Sequence, residues 1–90
     1  MSQAVANPDD MERFARELKQ FNSVLADSMS RLQGQFSGLG ETWRDQEHQK
    51  FAQEFEQTMR VLHQFRRSSD QQIPFLLRKA ARIREYLSQR

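Results

Sequence analysis

The sequence predicts an all-α fold in which two long helices form an antiparallel hairpin. Three observations indicate this fold. The 90-residue chain has only three glycines and two prolines. Apolar residues recur every three or four positions over long stretches, as on one face of an amphipathic helix. All three glycines lie within residues 34–40, between two such stretches. We expect one domain over 1–90, with helices at about 8–37 and 43–89 and a loose terminus at 1–6.

The first helix has a clear start signal and a regular apolar stripe. Asn7 can cap the helix, Pro8 suits its first position, and Asp9 and Asp10 favour the positive end of the helix dipole. The stripe repeats every seven residues, which predicts a long amphipathic helix with one solvated face. Its members are Met11, Phe14, Leu18, Phe21, Leu25, Leu32 and Leu39.

The turn is predicted at 38–42. Gly38 and Gly40 are expected to end the first helix, with glycine taking the left-handed conformation common just past a helix. Thr42 is the expected cap of the second helix, with Asp45 three residues later in a capping-box-like arrangement. A connection this short makes the two helices antiparallel neighbours.

The second helix is predicted to continue through a proline. Its apolar stripe begins with Phe51, Phe55, Met59, Leu62 and Phe65 and keeps its phase beyond Pro74. Since a loop has no reason to keep phase, we favour a kinked helix over a break at Pro74, although proline disfavours helix interiors.

The second helix is predicted to be longer than the first. If the chain reverses near residue 40, Met11 lies opposite about residue 70, and residues 73–90 form an overhang. This overhang is basic and amphipathic. Its apolar residues would be covered either by a fold-back at the proline or by another chain.

No residue pattern in the chain indicates catalysis, a cofactor or a metal. The chain has no cysteine. His48 and His63 are about 22 Å apart on a straight helix and cannot share an ion, so both are interpreted as surface residues. No membrane-spanning run and no cleavable signal peptide are evident in the sequence.

The charge is unevenly distributed. Residues 1–59 carry six basic and ten acidic residues, whereas residues 60–90 carry eight basic and two acidic residues. Arg78, Lys79, Arg82 and Arg84 form a candidate basic patch. We interpret them as a solvated face. The alternative is a module that binds nucleic acid or a membrane surface, for which the interleaved aromatic residues are few.

Trp43 admits two interpretations, a plug that closes the end of the hairpin and a recognition residue displayed at the turn. The segment "LGETWRDQEHQKF" also resembles the Trp-X-Gly, early-secreted-antigen-like family of helical hairpins. Leu39, Trp43 and Phe51 match its spacing, with Gly40 beside them and Asp45 in place of the motif glycine. In exported members an acidic residue stands four positions after a tyrosine, where this chain has Arg90 after Tyr86.

The resemblance implies a non-catalytic protein–protein interaction module. It would pair with a copy of itself or a related hairpin into a four-helix bundle and act as a type VII-like secretion partner or substrate. Its location would be cytoplasmic, with export that needs no cleavable signal peptide. The expected interface residues are Leu18, Phe21, Leu25, Leu32, Phe55, Leu62, Phe65, Leu76, Ile83 and Leu87.

Overall fold

A computed structural model, which describes residues 6–89, confirms the predicted all-α hairpin. It contains α1 (Pro8–Leu39, 32 residues) and α2 (Gln46–Ser88, 43 residues). The two helices lie side by side and antiparallel, so the molecule is a rod of 68 × 22 × 16 Å. No helix within the described range is long and apolar enough to cross a bilayer.

The start of α1 is the one that the sequence predicted. The Asn7 side-chain oxygen accepts hydrogen bonds from the amides of Asp9 (2.8 Å) and Asp10 (3.2 Å). These two amides have no partner within the helix, so the cap satisfies donors that would otherwise be left to water.

The surface where the two helices meet, which we call the seam, is built mainly from small and flexible side chains. On α1 the buried residues are Ala15, Asn22 and Met29, which are seven residues apart. The buried residues of α2 are Met59, Ser69, Ala80 and Ile83. The more apolar stripe predicted from Met11 to Leu39 is offset to one side of this seam. Small side chains let the helices approach closely, and the large ones are left at the margin.

The predicted overhang of residues 73–90 is wrong for residues 73–84, because these residues lie beside α1. Asn22 lies opposite Ser69, and Arg84 forms ion pairs with Glu12 and Asp9 near the start of α1. Ala80 is fully buried. The physical reason is the position of the connection. It comprises residues 40–45 rather than 38–42, so every pairing shifts toward the C-terminus. Residues 1–5 and 90 lie outside the described range.

Pro74 lies within α2 and does not end it. The expectation that the helix does not break at this position is therefore confirmed, and the expected kink stays a prediction. Proline leaves the carbonyl of Asp70 without its helical donor. Because Asp70 and Pro74 are both exposed, water can satisfy that carbonyl.

The turn differs from its prediction in two respects. The helix runs through Gly38, Gly40 has φ −63°, and no described residue has a positive φ. The chain leaves α1 through short-range amide–carbonyl bonds instead, such as Trp43 N to Leu39 O at 2.8 Å. The second helix begins at Gln46, and its cap is Asp45 rather than Thr42.

Candidate interaction surface

One side of the hairpin, which we call the apolar flank, carries large side chains that are roughly half exposed. On α1, Phe14 and Phe21 share one heptad position. Leu32 and Leu39 share the position four residues further on, which lies on the same face. On α2, Phe51 and Phe65 are fourteen residues apart and therefore on one face. The flank consists of Phe14 (59% exposed), Phe21 (52%), Leu32 (46%), Leu39 (46%), Phe51 (41%) and Phe65 (44%).

Contacts between the helices join these side chains into one surface. The rings of Phe21 and Phe65 meet edge to face, with their centroids 5.8 Å apart. Nearer the turn, the flank contains an apolar groove of about 350 Å³. Leu32, Gln35, Phe36, Leu39, Phe51 and Phe55 line this groove. The flank is therefore continuous across both helices.

Ion pairs join the two helices at the end of the hairpin opposite the turn. They lie on the side that faces away from the apolar flank. The Arg84 guanidinium donates to the carboxylates of Glu12 and Asp9. These hydrogen bonds, first that of Glu12 and then that of Asp9, raise the pKa of Arg84 above its usual range. Since these side chains remain partly exposed, the pairs connect the helix ends but contribute only modestly to stability.

An aromatic cluster closes the turn end of the hairpin. The Phe36 ring stacks on His48 at 5.3 Å and contacts Phe51 at 5.6 Å and Phe55 at 4.9 Å. Trp43 meets His48 edge-on at 5.0 Å. His48 is therefore half-buried, and its interpretation as a surface residue is wrong. A run of polar residues around it gave no sign of the stacking.

Asp45 holds the turn through two hydrogen bonds. Its Oδ1 accepts from the Trp43 indole N–H at 2.8 Å and from the His48 amide at 3.0 Å. Asp45 has φ −101° and ψ −175°, an extended conformation open to any residue. The backbone therefore does not require glycine here, and the carboxylate both caps α2 and orients the tryptophan.

The predicted basic patch is divided by the ion pairs. Arg84 is turned toward Glu12 and Asp9, whereas Arg78, Lys79 and Arg82 stay exposed along α2 and form no ion pair with any residue in 6–89. His63 is half-buried like His48, so its interpretation as a surface residue is wrong too. Within this range no cluster of three or more histidine or acidic side chains could hold a metal ion.

The ten residues predicted to form an interface fall into three groups. Ile83 is buried in the seam and faces α1, so its expected role at an interface is wrong. Four residues are exposed: Phe21, Leu32, Phe65 and Leu87. Five are half-buried between the seam and the surface: Leu18, Leu25, Phe55, Leu62 and Leu76.

Sequence reasoning missed the polar contact at the centre of the seam. Asn22 donates to Ser69 Oγ at 2.7 Å and to Asp70 Oδ1 at 2.9 Å. A signal was present, because Asn22 lies seven residues from both Ala15 and Met29. The stronger stripe beside it hid this second repeat.

These features define a class of protein, a two-helix hairpin with a tryptophan in its turn and an apolar flank. Residues 3–86 match the model of the WXG100 family, described as proteins of 100 residues with WXG. The chain belongs to this family of helical hairpins, which is associated with type VII secretion.

Two solved structures share the fold over nearly their whole length. The secreted protein EsxB of Bacillus anthracis str. Sterne superposes with a TM-score of 0.78 at 24% identity, covering 96% of this chain and 98% of that one. A glycine-to-alanine mutant of the same EsxB protein gives a TM-score of 0.77 at 25% identity, covering 94% and 98%. No curated protein matches the chain in sequence.

Proposed function

We propose that the protein is a non-catalytic interaction module that pairs with a second hairpin through its apolar flank. The partner is a copy of the chain or a related hairpin, and the product is a four-helix bundle. The observation that carries the proposal is the exposure of Phe14, Phe21 and Phe65 beside a seam made of smaller residues. A soluble chain does not usually leave this many large apolar side chains together in water.

The energy available from the flank supports the same conclusion. Full burial of a large apolar side chain contributes about 1.5–3 kcal/mol, so the exposed half contributes roughly 1 kcal/mol. Six such side chains on each partner provide about 12 kcal/mol, which is of the same order as the roughly 4–15 kcal/mol that association costs. A second hairpin presents a surface of the same length and apolar character.

We further propose that the pair is a partner or substrate of a type VII-like export system. Membership of the WXG100 family supports this, as does the fold shared with EsxB, which is described as a secreted protein. At the turn, the half-buried Trp43 lies next to the exposed Arg44. Export can be tested in the native host by comparing the culture supernatant before and after disruption of the secretion ATPase.

Pairing can be tested by sedimentation velocity with matched serine substitutions. Phe21→Ser with Phe65→Ser removes the ring contact at the centre of the flank. Val24→Ser with Leu77→Ser is the control, because both residues are exposed (53% and 41%) and Leu77 lies about 120° around α2 from Phe65. We expect the wild-type chain, alone or with its related hairpin, to sediment as a pair.

The phenylalanine variant should then dissociate at concentrations at which the control variant stays paired. Equal weakening by the two variants would mean that general hydrophobicity, rather than the flank, drives association. A wild-type chain that remains monomeric alone and with the related hairpin would overturn the proposal outright.

A further inference from the structure

The polar contact in the seam is a direct link between the centres of the two helices. Asn22 is 4% exposed and Ser69 is 2% exposed. The Asn22 side-chain NH₂ group donates to Ser69 Oγ at 2.7 Å and to Asp70 Oδ1 at 2.9 Å. Both acceptors are more than forty residues away in the sequence, on the other helix. The contact therefore forms only when α1 and α2 are in this register.

The chemistry of the acceptors fixes the orientation of the Asn22 amide. An ionised carboxylate only accepts hydrogen bonds, so the NH₂ group must face Asp70. The Ser69 hydroxyl donates in turn to the Phe65 carbonyl at 2.8 Å. Asn22 Oδ1 is buried with no hydrogen-bond partner among the described residues. The contact therefore satisfies its donors and leaves one acceptor unsatisfied.

This arrangement adds little to stability. An unsatisfied buried acceptor carries a desolvation cost that offsets much of what the two hydrogen bonds contribute. A leucine at position 22 would leave no such acceptor, and Ser69 would keep its bond to the Phe65 carbonyl. Stability alone gives no reason for an asparagine at this place.

Register gives a reason. The residues one turn away from Ser69 on the inward face of α2 are Arg66 and Ile73, which are both half-buried. Arginine has only donors, and isoleucine has no polar group. If α1 shifted by one turn in either direction, the Asn22 NH₂ group would lose both of its acceptors. The apolar part of the seam would be far less sensitive, because its residues recur every three or four positions.

We infer that Asn22 is the residue that sets the register of α1 against α2, through Ser69 and Asp70. A single buried asparagine fixes register in coiled coils by the same physics. The consequence reaches the surface, because the register places Phe21 beside Phe65 and so aligns the two halves of the apolar flank.

The register can be measured as a distance between two spin labels. Lys19 on α1 and Lys50 on α2 are exposed, and the chain has no native cysteine to compete for labelling. Since Asn22 faces Ser69, Lys19 lies level with about residue 72, roughly 33 Å along the axis from Lys50. Dilution with excess unlabelled chain removes distances between copies.

We expect one narrow distance maximum for the wild-type register. Asn22→Leu should add a second maximum displaced by about 5 Å, the length of one helical turn. The shifted population should rise by roughly 5- to 150-fold, the factor that corresponds to the cost of one unsatisfied buried group. Met29→Leu, a change elsewhere in the same seam, should keep a single maximum.

Two results would overturn the inference. One is a single maximum of wild-type position and width for Asn22→Leu. The other is a melting temperature for Asn22→Leu clearly below that of the wild type, which would make Asn22 a stabilising residue rather than a positioning one. Neither result depends on whether the hairpin pairs with a second chain, so the proposed function is tested separately.

Discussion

Replacing Phe36 by alanine should destabilise the hairpin more than any comparable change at an exposed position of α1. The ring contacts three others, those of His48, Phe51 and Phe55, at centroid distances of 5.3, 5.6 and 4.9 Å. Phe→Ala costs about 3–5 kcal/mol at a fully buried site. Because Phe36 is half-buried, about 2 kcal/mol of that cost applies. Loss of the three aromatic contacts adds about 1 kcal/mol, so the free energy of unfolding should fall by about 3 kcal/mol.

Such a loss should be evident in thermal unfolding. At roughly 4 °C or more per kcal/mol for a domain of this size, the melting temperature should fall by at least about 12 °C. Circular dichroism at low protein concentration measures the whole helix content, and Trp43 fluorescence reports on the turn, because Trp43 is the sole tryptophan. Val24→Ala is the control, because Val24 is 53% exposed on the same helix. A similar fall for both variants would refute the assignment of Phe36 as the residue that closes the turn.

Three further changes test individual elements of the fold by thermal or chemical denaturation. Gly34→Ala should stabilise α1 by about 1 kcal/mol, because glycine is costly within a helix and nothing lies within 4 Å of the added carbon; a decrease would contradict this. Pro74→Ala should stabilise α2 by up to about 3 kcal/mol by restoring one helical hydrogen bond, and an unchanged midpoint would show that the proline is already accommodated. Asn7→Ala should cost about 1 kcal/mol through loss of the cap, whereas Asn7→Ser, which keeps a capping oxygen, should leave the midpoint nearly unchanged.

The sequence predicted the helices well because their signals are local. The cap at Asn7 and the continuity of α2 through Pro74 both follow from neighbouring residues, and the structure bears them out. The register was beyond reach, because it depends on where the turn ends. The turn was predicted at residues 38–42, whereas residues 40–45 join the helices, and the later turn shifts each pairing partner on α2 toward the C-terminus.

The faces of α1 were harder to predict than its length. The strongest apolar stripe, which includes Leu32 and Leu39, does not form the contact between the two helices, and both residues are nearly half exposed. The intramolecular seam uses Ala15 and Asn22 instead. Periodicity locates an apolar face but does not say whether the same chain or another one covers it.

The turn cluster also has a kinetic consequence. Phe36 is separated from His48 by 12 residues, whereas Glu12 and Arg84 are separated by 72. Closing the longer loop costs about 1.6 kcal/mol more in chain entropy, so the first contacts to form should be those at the turn. Folding would then proceed from the turn toward the termini as a zipper. Phe36→Ala should therefore mainly slow folding, whereas Glu12→Gln should mainly speed unfolding, and stopped-flow measurements that found the reverse would contradict this order.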